Sequence, residues 1–269
     1  MDVFLLIILA IFLSAAMAGA WAIQRWTGRS GWIDTIWSFA VGSGGMAAAL
    51  FADGDFTRRM IALALIAAWS LRLGSHIAAR THGRDEDPRY AKLVEEWGDR
   101  ASLRLFLFLQ VQALAAFILV FAVYLAATND ASFPGVFDVL ALVIAAVALC
   151  GEAIADRQLA LFRRTPEAKT EVCETGLWRY SRHPNYFFEW LFWCCWLAFS
   201  LPGPAWSWLA ILAPVQMYWL LVHVSGIPPL EEHMLRSRGE KFRALQRRVN
   251  AFFPGPRKPE HTHLQETRP

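Results

Sequence analysis

The stretch Gly176-Leu177-Trp178-Arg179-Tyr180-Ser181-Arg182-His183-Pro184-Asn185-Tyr186-Phe187-Phe188-Glu189-Trp190-Leu191-Phe192-Trp193 decides how the rest of the chain is read. It begins as a polar, basic loop and becomes an aromatic-rich apolar helix at Pro184. Proline suits the first position of a helix, because its missing N–H would have no partner there in any case. The N–H groups of that first turn then face the loop beside Arg179, Arg182 and His183, an arrangement suited to a phosphate or a carboxylate. Further along, Asn185, Glu189 and Trp193 recur at i, i+4 and i+8 and fall roughly on one face. An acid and an amide inside an apolar segment are costly in lipid and point to function. A basic surface anchor with Trp and Tyr at the interface would account for the loop. It does not require Asn185 and Glu189 deeper in the span.

Outward from that stretch, hydrophobic residues make up 56% of the 269 and charged residues 18%, with 13 Trp and 19 Phe. Mean hydropathy is +0.32. This is the composition of a polytopic membrane protein. The net charge of +3 comes with arginines bunched in a few loops. That pattern fits anionic lipid or an anionic ligand rather than nucleic acid, since no RNA-binding motif accompanies it. Cys150, Cys173, Cys194 and Cys195 lack C-x-x-C spacing, so buried thiols are expected, with neither a disulfide framework nor a metal site. The first twenty residues resemble a signal peptide, ending near Ala16-Met17-Ala18. They start with Asp2 rather than lysines, and the apolar run is long enough to cross a bilayer, so a retained first span is expected.

Apolar runs of spanning length fall near 3–22, 32–52, 60–79, 105–127, 137–161, 185–201 and 205–224. The expected fold is all-α: a polytopic membrane protein with seven transmembrane helices and a C-terminal amphipathic surface helix. Residues 1–253 form one membrane domain and the Pro-rich polar tail 254–269 is disordered. Basic residues cluster after the first, third, fifth and seventh spans, whereas the loop from Thr128 to Phe137 has acids and no Lys or Arg. The positive-inside rule therefore puts the N-terminus outside and the C-terminus in the cytoplasm, across the inner membrane in a bacterium. Arg58 and Arg59 are the counter-signal.

Polar residues inside or beside these spans supply the site candidates. Asp34 opens the second span with Trp37 and Ser38 on one side, although an acid in a first helical turn also suits the helix dipole. Gly42, Gly44 and Gly45 thin that helix, for close packing or for a flat ligand. Arg72, His76 and Arg80 line one face of the third span three residues after Trp69, and an arginine at the depth of Arg72 must pair, snorkel or bind something. The loop Gly83-Arg84-Asp85-Glu86-Asp87-Pro88-Arg89-Tyr90 reads as internally paired. Glu152 and Asp156 precede Arg157, Arg163 and Arg164. Asp156 could accept from a ribose or adenine while Arg163 or Arg164 holds a phosphate, or the acids could simply neutralise the arginines. After the last span, Pro228-Pro229-Leu230-Glu231-Glu232 opens a basic amphipathic helix on the membrane surface, where Glu232 and Arg236 could be an i,i+4 pair. There is no G-x-G-x-x-G, P-loop, H-E-x-x-H or nucleophile elbow. The residues describe an apolar, aromatic cavity beside a polar, basic pocket, suited to a lipophilic substrate and an anionic soluble cofactor.

The motif from Gly176 to Tyr186, with Glu189 and Trp193, resembles the C-terminal signature of the steroid 5α-reductase family, and most closely its bacterial branch, long labelled a domain of unknown function. Asp34-Thr35-Ile36-Trp37, Trp69-Ser70-Leu71-Arg72-Leu73, Glu86-Asp87-Pro88-Arg89-Tyr90 and Gly226-Ile227-Pro228-Pro229-Leu230-Glu231-Glu232 are similar to that branch too. The resemblance runs from about Trp32 to Pro254. It implies a seven-span reductase using NADPH, with spans one to four around a steroid-like substrate and spans five to seven, with their cytoplasmic loops, around the cofactor. Carried over, Asp156, Arg163 or Arg164, Arg179, Asn185, Tyr186, Glu189 and Trp193 become cofactor contacts, with Glu231 and Glu232 closing the pocket; Tyr180, Arg182, His183 and Arg72 are expected to join them. Trp37 and Ser38 become substrate contacts.

The implied chemistry is reduction of a conjugated enone: hydride to the β-carbon while a donor stabilises the developing enolate. Animal steroid reductases carry a Gln-Glu pair about where Asp34-Thr35 stands and a tyrosine about where Trp69 falls. Asp34 is the expected proton donor, kept protonated by burial, with Trp69 or His76 assisting. A monomer in contact with membrane lipid is expected. Two other readings stay open. His183-Pro184-x-Tyr186 with Glu231-Glu232 also occurs in membrane methyltransferases that use S-adenosylmethionine, such as isoprenylcysteine carboxyl methyltransferase. That cofactor has no phosphate for the arginines. A lipid-binding scaffold gives no reason for Glu152, Asp156, Asn185 and Glu189.

Overall fold

The computed structural model describes residues 1–81 and 88–259. Among them no strand occurs, and ten α-helices follow in order. These are α1 (Val3–Thr27), α2 (Trp32–Phe51), α3 (Phe56–Thr81), α4 (Pro88–Trp97), α5 (Ala101–Ala127), α6 (Val136–Phe162), α7 (Pro184–Phe199), α8 (Leu212–Trp219), α9 (Ile227–Arg238) and α10 (Glu240–Arg248). Five helical runs are long and apolar enough to cross a membrane: Val3–Thr27, Phe56–Thr81, Arg89–Ala127, Val136–Phe162 and Ala205–Arg238. They are those of an integral membrane protein. The seven expected spans are thus five by length and composition, and the two that fall short have different reasons. The 16 residues of α7 reach about 24 Å at 1.5 Å per residue, short of a hydrocarbon core of about 30 Å. In α2 the hydropathy is diluted by Asp34, Thr35, two serines and three glycines.

The chain divides into two compact units, and the division falls inside α6, α7 and α8. The first comprises Met1–Ala145 and Trp193–Gln216. Here Asp2 caps α1 through the Leu5 N–H, and α1, α2, α3 and α5 pack on one another. Between α2 and α3 the approach is close. A Cβ on Gly42 would lie 2.0 Å from Ser70 Oγ, and one on Gly45 2.7 Å from Ile66. These two glycines therefore serve helix packing rather than a flat ligand. At the start of α3, Arg58 is fully buried and bonds both oxygens of Asp138 at 2.8 Å. Arg59 donates to the C-terminal carbonyls Ala49 and Leu50 of α2.

The second unit comprises Ala146–Phe192 and Met217–Pro269. Its loop is pinned where Trp178 Nε1 donates to Ala155 O at 2.9 Å and Gln158 accepts from the Leu177 N–H. The expected single surface helix is two, α9 and α10, broken at Gly239 with φ 52, a conformation that favours glycine. The apolar side of α10 is buried within the protein: Phe242, Leu245 and Val249 cluster with Val172. The tail leaves Pro254 hydrogen-bonded to the body, Gly255 N to Tyr180 O and Lys258 N to Arg248 O. Residues 260–269 of the expected disordered tail and Gly83 to Asp87 of the expected paired loop lie outside the described residues. All four cysteines are free, and Cys150 is exposed rather than buried.

Candidate functional site

In the first unit Asp34 joins a polar cluster, and Trp37 and Trp69 are among the aromatic rings beside it. Asp34 sits in the first turn of α2. Its Oδ2 is 2.5 Å from Arg89 Nη2, and its Oδ1 accepts from the Tyr90 hydroxyl at 2.8 Å. Gln112, on α5, donates its Nε2–H to the Tyr90 oxygen at 3.0 Å. Tyr90 itself packs in an apolar cluster with Ile33, Leu105, Leu109 and Phe108. Gln112 Oε1 and Thr35 Oγ1 are buried without a hydrogen-bond partner among the described residues. Two unsatisfied oxygens in such surroundings are costly and mark a place where a ligand or water belongs. An aromatic wall stands beside them. Trp37, whose indole N–H bonds Gln112 O at 3.1 Å, meets Trp69 edge-on at 6.5 Å, and Trp69 meets Trp193 at 5.0 Å.

This arrangement alters three of the expected roles. Asp34 is paired with Arg89 and bonded by the Tyr90 hydroxyl, with its side chain 24% exposed, so it lacks the dry, buried setting expected for it as the donor. Tyr90 holds the O–H. Ser38 is fully buried, and its hydroxyl bonds back to Asp34 O at 2.8 Å, so it is occupied within its own helix. Trp193, read as a cofactor contact, belongs to the Trp69 wall. His76 is exposed on α3 and Arg72, one turn before it, is half-buried. Sequence reading missed Tyr90 and Gln112 as site residues. The signal for Gln112 was available: an amide inside an apolar span invites a functional reading.

In the second unit Asp156 and Asn185 are joined, Nδ2 to Oδ1 at 3.3 Å. Glu152 and Glu189 are buried, whereas Arg163, Arg164, Arg179 and Tyr180 are exposed. Arg182 and His183 do something else. Arg182 grips both oxygens of Glu231, at 2.7 and 3.2 Å, and donates to the carbonyls of Gln246 and Val249. His183 Nε2 meets Glu231 at 3.1 Å and its ring stacks on Tyr186 at 5.6 Å. Gln246 Nε2 donates to the same carboxylate at 2.8 Å. Burial lowers the pKa of His183, although Glu231 pulls it back up. The run Ala205–Arg238 ends in α9, where Glu231, Glu232, His233, Arg236 and Arg238 make its end polar, so the apolar part fit to span a membrane lies before Glu231. Burial opposes ionisation of Glu231, but the His183 and Arg182 hydrogen bonds, the Arg182 charge and the Gln246 amide outweigh it. They bring the carboxyl down to about 2. Arg182, His183 and Glu231 thus form a clamp that fixes the start of α7 to the C-terminal helices. Glu232 pairs with Arg236 on the surface. Arg163, Arg164 and Arg179 are exposed and take no part in that clamp.

A family model described as a protein of unknown function, DUF1295, matches residues 20–249. Neither the curated proteins nor the solved structures provide a match.

Proposed function

The chain belongs to the DUF1295 family of proteins of unknown function, and from that premise we propose that it is a membrane reductase. It would transfer hydride from NADPH to the β-carbon of a conjugated enone in a lipophilic, steroid-like substrate. The observation that carries this reading is the Gln112–Tyr90–Asp34 hydrogen-bond chain in an apolar, tryptophan-lined setting. A phenol held there is an oriented donor for the carbonyl oxygen, whose negative charge grows as hydride arrives. Gln112 holds the Tyr90 oxygen, and the single Tyr90 proton, which rests on Asp34 Oδ1, would turn to the carbonyl oxygen once substrate is bound. The Trp37, Trp69 and Trp193 rings exclude water from the reacting atoms.

The cofactor fits the second unit by the chemistry of its donors. Three exposed guanidiniums suit phosphates, and the Asp156–Asn185 pair offers an acceptor and an amide to a ribose or base. NADPH would supply the hydride. The resemblance to steroid 5α-reductases supports the seven-span arrangement, with α2 and α7 completing the bundle beside longer helices. The clustering of basic loops supports an outside N-terminus, with the cofactor residues facing the cytoplasm. A 3-oxo-4-ene steroid is the first substrate to test. The methyltransferase reading draws on the His183 and Glu231 motifs, yet these residues bind each other in the clamp.

Thermal stabilisation of the detergent-purified protein tests the cofactor. A ligand that binds only the folded state at a hundred times its Kd stabilises it by about 2.7 kcal/mol. NADPH is expected to raise the melting temperature well beyond NADH, and S-adenosylmethionine to leave it unchanged. Stabilisation by S-adenosylmethionine alone overturns the reductase.

A further inference from the structure

We infer that Asp34 returns the proton to Tyr90 after each turnover, as a relay from the aqueous edge, and that Arg89 is its positioning residue. This rests on the reductase reading above. The cluster is graded in exposure: Tyr90 is 4% exposed, the Asp34 side chain 24% and the Arg89 side chain 40%. The buried end faces the apolar cluster and the other end meets solvent.

Reduction of an enone consumes one hydride and one proton. With the hydride and its two electrons that NADPH would supply, a new C–H bond forms at the β-carbon and the conjugated π system becomes an enolate. The Tyr90 O–H bond then breaks as its proton forms an O–H bond at the enolate oxygen, leaving a phenolate, and the enol becomes the saturated ketone when its α-carbon takes a proton from water and its oxygen returns one. Among the described residues the hydroxyl of Tyr90 has two hydrogen-bond partners, the Gln112 amide and the Asp34 carboxylate. A neutral amide donates a hydrogen bond but does not give up its proton. Asp34 is therefore the neighbour that can carry one. A phenolate is a far stronger base than a carboxylate, so transfer from a transiently protonated Asp34 to Tyr90 runs downhill. The proton reaches Asp34 from water at its exposed side.

The two carboxylate oxygens divide the work. Oδ1 faces Tyr90, and Oδ2 is held by Arg89. The charge-assisted bond fixes the plane of the carboxylate and leaves Oδ1 aimed at Tyr90. Asp34 does not touch the substrate in this scheme; it acts through Tyr90. The scheme also gives a reason for an acid at the membrane edge of α2 that helix capping does not, because Tyr90 and Arg89 both converge on its side chain.

The test replaces Asp34 by Asn, which keeps an oxygen for the Tyr90 hydrogen bond but carries no proton, and by Ala, which leaves room for a small acid. With NADPH and a 3-oxo-4-ene steroid, both variants are expected to lose about 100-fold in kcat with little change in KM. Added formate or acetate should restore turnover of Asp34→Ala in proportion to its concentration. During turnover Asp34→Asn should accumulate the ultraviolet difference absorbance of a phenolate, and this signal should vanish in Tyr90→Phe/Asp34→Asn. A loss that no small acid restores, without a phenolate signal, overturns the relay, as does undiminished kcat in either variant. If the wild-type protein reduces no enone while NADPH still stabilises it, the relay falls together with the enone chemistry and the cofactor assignment stands.

Discussion

Arg58 stands against the alternation of basic loops, yet its guanidinium never reaches the surface. It is bonded to both oxygens of Asp138 and to the carbonyls of Asn129 and Ala131. A neutralised, buried charge carries no topological signal of the kind that free loop arginines carry. Its partner lies eighty residues on, which no local pattern reveals. The pair is 1% and 2% exposed, so removing one member leaves a desolvated charge. Arg58→Ala is expected to destabilise the protein by about 3–5 kcal/mol, and Arg58→Met with Asp138→Leu by much less, because a well-packed apolar pair can replace a buried ion pair. Denaturant titration of the wild-type protein and these two variants in detergent measures it. A double variant as unstable as Arg58→Ala would mean the loop carbonyls, not the charges, are what Arg58 serves.

At the scale of elements, the α2–α3 contact depends on an absent side chain. A Cβ on Gly42 would lie 2.0 Å from Ser70 Oγ and 2.2 Å from Ser70 Cβ, but 3.7 Å from its Cα. Gly42→Ala should cost about 1–3 kcal/mol through overpacking. The second site separates the causes. Ser70→Ala retains the offending Cβ and should rescue nothing, whereas Ser70→Gly removes it and should restore most of the loss. Melting temperatures of the three variants decide it, and equal rescue by both would refute the packing argument. From the sequence these glycines were equally consistent with a flat ligand, since spacing alone does not say which helix lies opposite. The break between α9 and α10 was hidden for a similar reason. One amphipathic period continues through Gly239, and the lost helical geometry shows only in its backbone.

For the whole molecule, the all-helical membrane architecture was legible because apolar runs of spanning length have few alternatives. The site was legible in part. Asp34, Asp156, Asn185 and Glu189 were conspicuous as polar residues in apolar surroundings. Tyr90 was not, because a tyrosine after a charged loop looks like an interface anchor until Asp34 and Gln112 are found beside it. The clamp of Arg182, His183 and Glu231 was read as cofactor chemistry, since sequence shows charges without their partners. That clamp gives the molecule a pH dependence whose sign is fixed. Glu231 holds its proton less tightly in the folded protein than in the unfolded chain, and so does His183. The unfolded chain therefore takes up more protons as pH falls, and stability falls with it. The contribution of His183 is complete above its ordinary value of 6.5 and is lost below it. That of Glu231 is complete above 4.5 and disappears as pH approaches about 2. Melting temperatures of the wild-type protein should decline gently below neutrality and more steeply below the carboxylate range. Glu231→Gln should start lower, having lost its ion pair with Arg182, and should then decline less steeply over the acid part of the range. Parallel curves for the two proteins would show that other carboxylates set the acid limit and that Glu231 is not the group that ties the C-terminal helices to the start of α7.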